Sequence, residues 1–172
     1  GTGSPSTRDS LALTTKVAEM GADAALVITP YYNKPTPEGV FQHFKALSKV
    51  GLPLVLYHHP MRTGVSLSLE TILRIAELPN VEAIKDVSGD FSLMQDVVSK
   101  SSLTLLGGED PLYLSYLAYG AKGTINVSGN VIPGTWKKIQ NLFQKGQVEE
   151  SRLLFLKQKN FIEAILGENN PQ

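Results

Sequence analysis

The sequence contains no cysteine. That excludes disulfides, thiolate nucleophiles and zinc–thiolate centres. It has no surplus of either charge, since sixteen basic and sixteen acidic residues balance to a formal +0. A nucleic-acid partner calls for a basic excess or a basic stripe, so none is expected. No apolar run is long enough to cross a bilayer, so no membrane partner is expected. Gly1 to Ser10 resemble neither a signal peptide nor a transit peptide. A cytoplasmic location fits these absences. Histidine is scarce as well. His43 falls in a helical stretch, whereas His58 and His59 adjoin on a strand and point to opposite faces. With no carboxylate cluster at ligand spacing, no metal site is expected. Gly1-Thr2-Gly3 lacks the third glycine of a dinucleotide loop, because Ser6 holds that position, and it has no strand before it.

What the chain does have is an ordinary globular composition: 172 residues, 42% hydrophobic, with a mean hydropathy of -0.04. This suits one domain over residues 1–172 with a substantial core. Apolar, β-branched runs at residues 24–29, 54–58, 81–86, 103–106 and 123–127 read as strands covered on both faces. Amphipathic stretches at 11–20, 38–50, 69–78, 91–100, 112–119, 133–145 and 148–165 read as helices. Gly21, Gly51 and Gly120 act as stops, and Ser68 as an N-cap. Alternation of this kind supplies the crossovers that parallel strands need, so the class is α/β. Periodicity does not separate a closed (β/α) barrel from an open doubly wound sheet.

Three segments could carry chemistry. Lys85 lies in the apolar strand Val81-Glu82-Ala83-Ile84-Lys85-Asp86. Burying an ammonium costs several kcal/mol unless it is paired or neutralised, and a desolvated, neutral amine is the nucleophile that condenses with a ketone. From this residue alone, an ion pair or a lysine snorkelling at a strand end is the leading reading. Tyr57 sits near the carboxyl end of its strand, with Arg62 in the loop beyond. A tyrosine there can relay protons and an arginine can fork a carboxylate, though each taken singly reads as packing or surface. Pro30-Tyr31-Tyr32-Asn33-Lys34-Pro35-Thr36 reads as loop packing or as an interface anchor.

Together these segments resemble the dihydrodipicolinate synthase and N-acetylneuraminate lyase family of pyruvate-dependent (β/α) barrels. The resemblance rests on Gly21-Ala22-Asp23-Ala24-Ala25, Pro30 through Pro35, Tyr57 through Gly64 and Ile84-Lys85-Asp86, in that order. It implies a partial TIM (β/α)8 barrel, running from the end of the third strand through the eighth and the C-terminal helices. It further implies that Lys85 forms an imine with pyruvate, that Tyr57 shuttles protons, and that Tyr32 is lent to a neighbouring subunit across a dimer interface. Gly108 and Ile125 match positions whose backbone lines the pyruvate pocket. Arg62-Thr63-Gly64 matches members in which the arginine grips an aldehyde's carboxylate, with Thr63 a further substrate-binding candidate. The implied reaction condenses pyruvate with aspartate semialdehyde in the diaminopimelate route to lysine, without metal or organic cofactor. A homodimer or dimer of dimers is implied as the assembly.

The chain departs from the family pattern in places. The Gly-Thr-Thr-Gly-Glu segment is absent, and with it the threonine that links the two tyrosines, so the chain by itself is not expected to complete turnover. His58 stands where asparagine is common. Pro5 and Asp9 replace residues that hold feedback lysine, which argues against lysine inhibition. Two other readings are an N-acetylneuraminate lyase or hydroxy-oxoglutarate aldolase acting on a different aldehyde, and a non-catalytic partial-barrel subunit with open strand edges.

Overall fold

Capping residues and left-handed glycines set the element boundaries. In a computed structural model that describes residues 1–168, the order is α1 (Thr7–Glu19), β1 (Ala25–Ile28), α2 (Pro37–Leu47), β2 (Leu54–His58), α3 (Pro60–Thr63), α4 (Leu69–Ala76), β3 (Val81–Asp86), α5 (Phe91–Lys100), β4 (Thr104–Gly107), α6 (Tyr113–Ala118), β5 (Gly123–Thr124), α7 (Pro133–Gln144), α8 (Val148–Leu156) and α9 (Lys159–Ile165). Gly21, Gly51 and Gly120 all adopt positive φ at helix ends, as their stop roles require. Ser68 accepts a hydrogen bond from the Thr71 N–H and caps α4. Asp90 accepts from the Leu93 N–H in the same way and fixes the start of α5.

The chain forms two compact units, one from Gly1 to Leu105 and one from Leu106 onward. In the first, β1, β2 and β3 lie side by side and parallel, so that Ile28, Tyr57 and Lys85 stand in register across the strands. Val27, Leu54, Leu56 and Ile84 are fully buried, as are Phe44 and Leu47 of α2 and Ile72 and Ile75 of α4. Each such side chain contributes about 1.5–3 kcal/mol by leaving water. Gly1-Thr2-Gly3 runs against β1: the Thr2 N–H donates to the Leu26 carbonyl at 3.0 Å. A Cβ on Gly3 would lie 2.7 Å from the Ile28 nitrogen, so glycine serves a close backbone approach here and not a phosphate loop.

In the second unit, β4 and β5 pair in parallel through Leu106–Gly123 and Gly107–Thr124. Its core gathers Tyr113, Leu117, Trp136, Ile139 and Ile162, with the Tyr113 and Trp136 rings edge to face at 5.1 Å. Burial pushes the Tyr113 phenol up to about 12. Among the described residues no helix is long and apolar enough to cross a membrane.

Four differences from the sequence expectation bear on the fold. α1 begins at Thr7, not Leu11, because Ser6 caps it through the Asp9 N–H, and its buried residues are Ser10 and Thr14 while Leu13 and Met20 are exposed. Arg62 lies on the single turn α3 and not in a loop. Pro60 presets the first helical φ and Gly64 closes the turn at φ 68. β5 ends after two residues, since the chain beyond it is drawn to the buried Asp110 carboxylate, which accepts from the Val127 and Ser128 N–H groups. The expected helix over 148–165 breaks at Gln158, whose N–H bonds three residues back to Phe155 and whose side-chain amide takes the Leu154 carbonyl.

His43 gives the first unit an acid-sensitive core. Its ring is buried and its Nδ1 meets Thr7 Oγ1 at 2.9 Å, while burial depresses its pKa from 6.5 to about 4. The unfolded chain therefore binds this proton at higher pH than the folded one, so the associated stability is present above pH 6.5 and is lost as pH falls toward 4. The loss amounts to about 3 kcal/mol at most. Chemical denaturation across that window should show the decline, and His43→Gln should flatten it. An unchanged slope in the variant would remove His43 as its source.

Candidate active site

The in-register pairing of β2 and β3 places Tyr57 beside Lys85. Neighbours in register on parallel strands project to the same face, and the Lys85 Nζ lies 4.0 Å from the centroid of the Tyr57 ring. Lys85 is only 9% exposed. An amine over the face of a desolvated aromatic ring is held there when charged by about 2 kcal/mol.

The next residue on each strand faces the other way. His58 and Asp86 are both wholly buried, with Nδ1 3.0 Å from Oδ1. The Leu67 N–H donates to His58 Nε2 at 3.3 Å. Nε2 is thus the acceptor nitrogen, and the ring proton sits on Nδ1, directed at the carboxylate. This one imidazole ties β2 to β3 at the positions adjoining Tyr57 and Lys85 and fastens the segment after α3. That gives a physical role to His58, a residue the sequence left without one.

Beyond β2 the chain returns to the Tyr57 face at His59. The His59 and Tyr57 rings are 5.5 Å apart and tilted by 45°. The His59 Nδ1 is buried with no hydrogen-bond partner. Its pKa is lowered to about 4, chiefly by burial and then by the Arg62 and Lys85 charges, so the ring is neutral at physiological pH. Arg62 is exposed on α3, one turn from His59. Thr63 is buried, and its hydroxyl lies 3.0 Å from the His59 carbonyl and 3.1 Å from the Val65 carbonyl and N–H. That hydroxyl is engaged within its own turn, which holds the segment carrying Arg62. Glycine suits that position by its φ of 68; the Lys34 Cε that a Cβ would meet at 2.9 Å is the end of a flexible side chain.

Tyr32 is placed differently: its side chain is 91% exposed. Its φ is 72, and the Asn33 N–H closes back to the Tyr31 carbonyl at 2.9 Å, a three-residue turn with its apex at Tyr32. A non-glycine residue held in this region costs about 1–3 kcal/mol. The Asn33 side chain anchors the turn by donating to the Pro5 carbonyl at 3.1 Å.

Gly108 and Ile125 belong to the second unit. Gly108 directly follows β4, and the Ile125 N–H donates to the Gly107 carbonyl at 3.0 Å. Ile125 lines a cleft of about 380 Å³ with Gly123, Asn126 and Trp136 among others. The buried Asp110 accepts from the Ser128 hydroxyl, which in turn accepts from the Trp136 indole N–H at 2.9 Å, and so shapes the segment after Ile125. The sequence reading missed this network, along with His59, the His58–Asp86 pair and the structural role of Thr63. For His59 a signal existed, since strand alternation puts it on the Tyr57 face. Among the described residues no three His, Asp or Glu side chains group as metal ligands do.

Comparison with known proteins places these features in a wider set. The dihydrodipicolinate synthetase family pattern matches residues 1–172. The 4-hydroxy-tetrahydrodipicolinate synthase of Thermodesulfovibrio yellowstonii is 40% identical over 99% of this chain and 60% of its own length. The enzyme of the same name from Archaeoglobus fulgidus is 37% identical over 99% of this chain and 60% of its own. The crystal structure of dihydrodipicolinate synthase from Aquifex aeolicus superposes with a TM-score of 0.95 at 34% identity, covering 99% of this chain and 60% of that one. The chain therefore spans about 60% of the length of these relatives. The likeness to the TIM-barrel structure bears out the expected α/β class and partial (β/α)8 barrel.

Proposed function

Since this chain belongs to the dihydrodipicolinate synthetase family, we propose that it carries the Schiff-base centre of a pyruvate-dependent lyase that condenses pyruvate with aspartate semialdehyde. The observation that carries this reading is the buried Lys85 amine seated 4.0 Å over the Tyr57 ring. The neutral amine adds to the pyruvate ketone carbon, a proton is taken up and water leaves, giving a protonated imine. That cation acidifies the adjacent methyl group, whose proton is removed with Tyr57 as the relay. The enamine carbon then bonds to the aldehyde carbon, the aldehyde oxygen takes up a proton, and cyclisation by the substrate's amine releases Lys85. None of these steps calls for a metal or an organic cofactor.

Arg62 is the group we assign to the aldehyde's carboxylate, because a guanidinium forks a carboxylate with two parallel hydrogen bonds. It favours the synthase reaction over an N-acetylneuraminate lyase or a hydroxy-oxoglutarate aldolase. Thr63 supports it from within the turn. Gly108 and Ile125 are assigned backbone contacts to pyruvate on the family resemblance. Tyr32, an exposed aromatic ring on a strained backbone, suits a contact lent to a second copy of the protein, in a homodimer or a dimer of dimers. Small soluble substrates of this kind fit a cytoplasmic enzyme. Residues 1–172 are taken as one domain, for which a single cooperative unfolding transition is the test.

Substrate choice is tested with Arg62→Ala. Loss of a bidentate carboxylate contact is expected to raise the KM for aspartate semialdehyde about tenfold to a hundredfold, with the KM for pyruvate little changed. If semialdehyde turnover in the variant matched the wild type, the synthase assignment would fall, and comparison with other aldehydes would identify the alternative.

A further inference from the structure

Chain geometry places a second polar ring at the same site. Side chains alternate along β2, so Tyr57 faces Lys85, His58 turns away to Asp86, and His59 comes back to the Tyr57 side, where their rings are 5.5 Å apart. Arg62 follows three residues later, one helical turn on. His59 therefore stands in the chain between the tyrosine that seats Lys85 and the arginine assigned to a carboxylate. Its Nδ1 is buried without a hydrogen-bond partner, a condition that costs about 1–3 kcal/mol and leaves Nε2 as the ring nitrogen for a ligand. Burial first, and then the charges of Arg62 and Lys85, keep the ring neutral.

Resting on the Schiff-base reading above, we propose that His59 is a specificity-determining residue that hydrogen-bonds the incoming aldehyde between Lys85 and Arg62. The imidazole adjoins the Tyr57 ring over which Lys85 sits and precedes Arg62 by one helical turn, which sets it beside a carboxylate-bearing aldehyde that reacts at the one and is held at the other. The neutral ring offers one N–H donor and one acceptor nitrogen. It can therefore donate to the aldehyde oxygen, or accept from its hydrate, without adding a third positive charge beside the lysine and the arginine. Pyruvate needs no such contact to form the imine.

The test separates the two half-reactions. In His59→Leu, borohydride trapping of the pyruvate imine is expected to proceed as in the wild type, while the KM for aspartate semialdehyde rises about tenfold, the worth of one hydrogen bond. His59→Gln, which keeps a donor and an acceptor, is expected to recover most of that loss. A folded His59→Leu protein with an unaltered semialdehyde KM overturns the proposal, as does trapping that falls in parallel with turnover. If the leucine variant does not fold, the same comparison is read on His59→Phe. Wild-type protein that forms no imine overturns the Schiff-base reading and this inference with it. Imine formation with an indifferent His59 overturns this inference alone.

Discussion

In protein that carries a full barrel, Lys85→Ala is expected to reduce turnover by more than about a thousandfold, because covalent catalysis has no substitute once its nucleophile is gone. The amine is the only atom of the site that bonds to substrate in the proposed route. The variant should fold: alanine in place of lysine on β3 leaves Ile84 and Ala83, which are buried in their own right, in place. It also leaves the His58–Asp86 pair, which clamps the same strand ends from the opposite face. Loss of activity with a retained unfolding transition is thus the expected combination. Measurable turnover within tenfold of the wild type would place the nucleophile elsewhere.

Tyr57→Phe is expected to lower kcat by about 10²–10⁴-fold, the span typical of a general acid–base group. The phenyl ring is retained, so the Lys85 Nζ keeps the aromatic face above which it sits at 4.0 Å. What goes is the hydroxyl alone. The KM for pyruvate should therefore change little while kcat falls, the pattern of an interaction made in the transition state. A variant with an intact kcat would leave Tyr57 as a packing surface for the lysine and move proton transfer to another group.

Local chemistry was legible in the sequence. The strands over 54–58 and 81–86 stand where their apolar runs put them, and Ser68, Gly21, Gly51 and Gly120 cap or stop helices as their residue types dictate. The α/β class followed from alternation. What the sequence does not contain is register. That Tyr57 pairs with Lys85, and His58 with Asp86, depends on how two strands 28 residues apart slide against each other, and a one-residue slip would exchange the two faces. For the same reason Lys85 taken alone reads first as an ion pair or a snorkelling lysine, and its place beside Tyr57 is what the strand register adds. Thr63 enters the linear reading only as a substrate-binding candidate, and Asp110 does not enter it. Their burial comes from backbone N–H and carbonyl groups that only the folded turns present. The helix break at Gln158 likewise turns on a local hydrogen-bond exchange that periodicity does not report.

The central claim, that Lys85 is the residue that bonds to pyruvate, is tested most directly by trapping. The folded protein is incubated with pyruvate and borohydride, and the reduced adduct is mapped by peptide mass spectrometry. A single pyruvate-derived modification on Lys85, absent when either reagent is left out, is the predicted result. A folded sample with no adduct, or with its adduct on another lysine, would contradict the account.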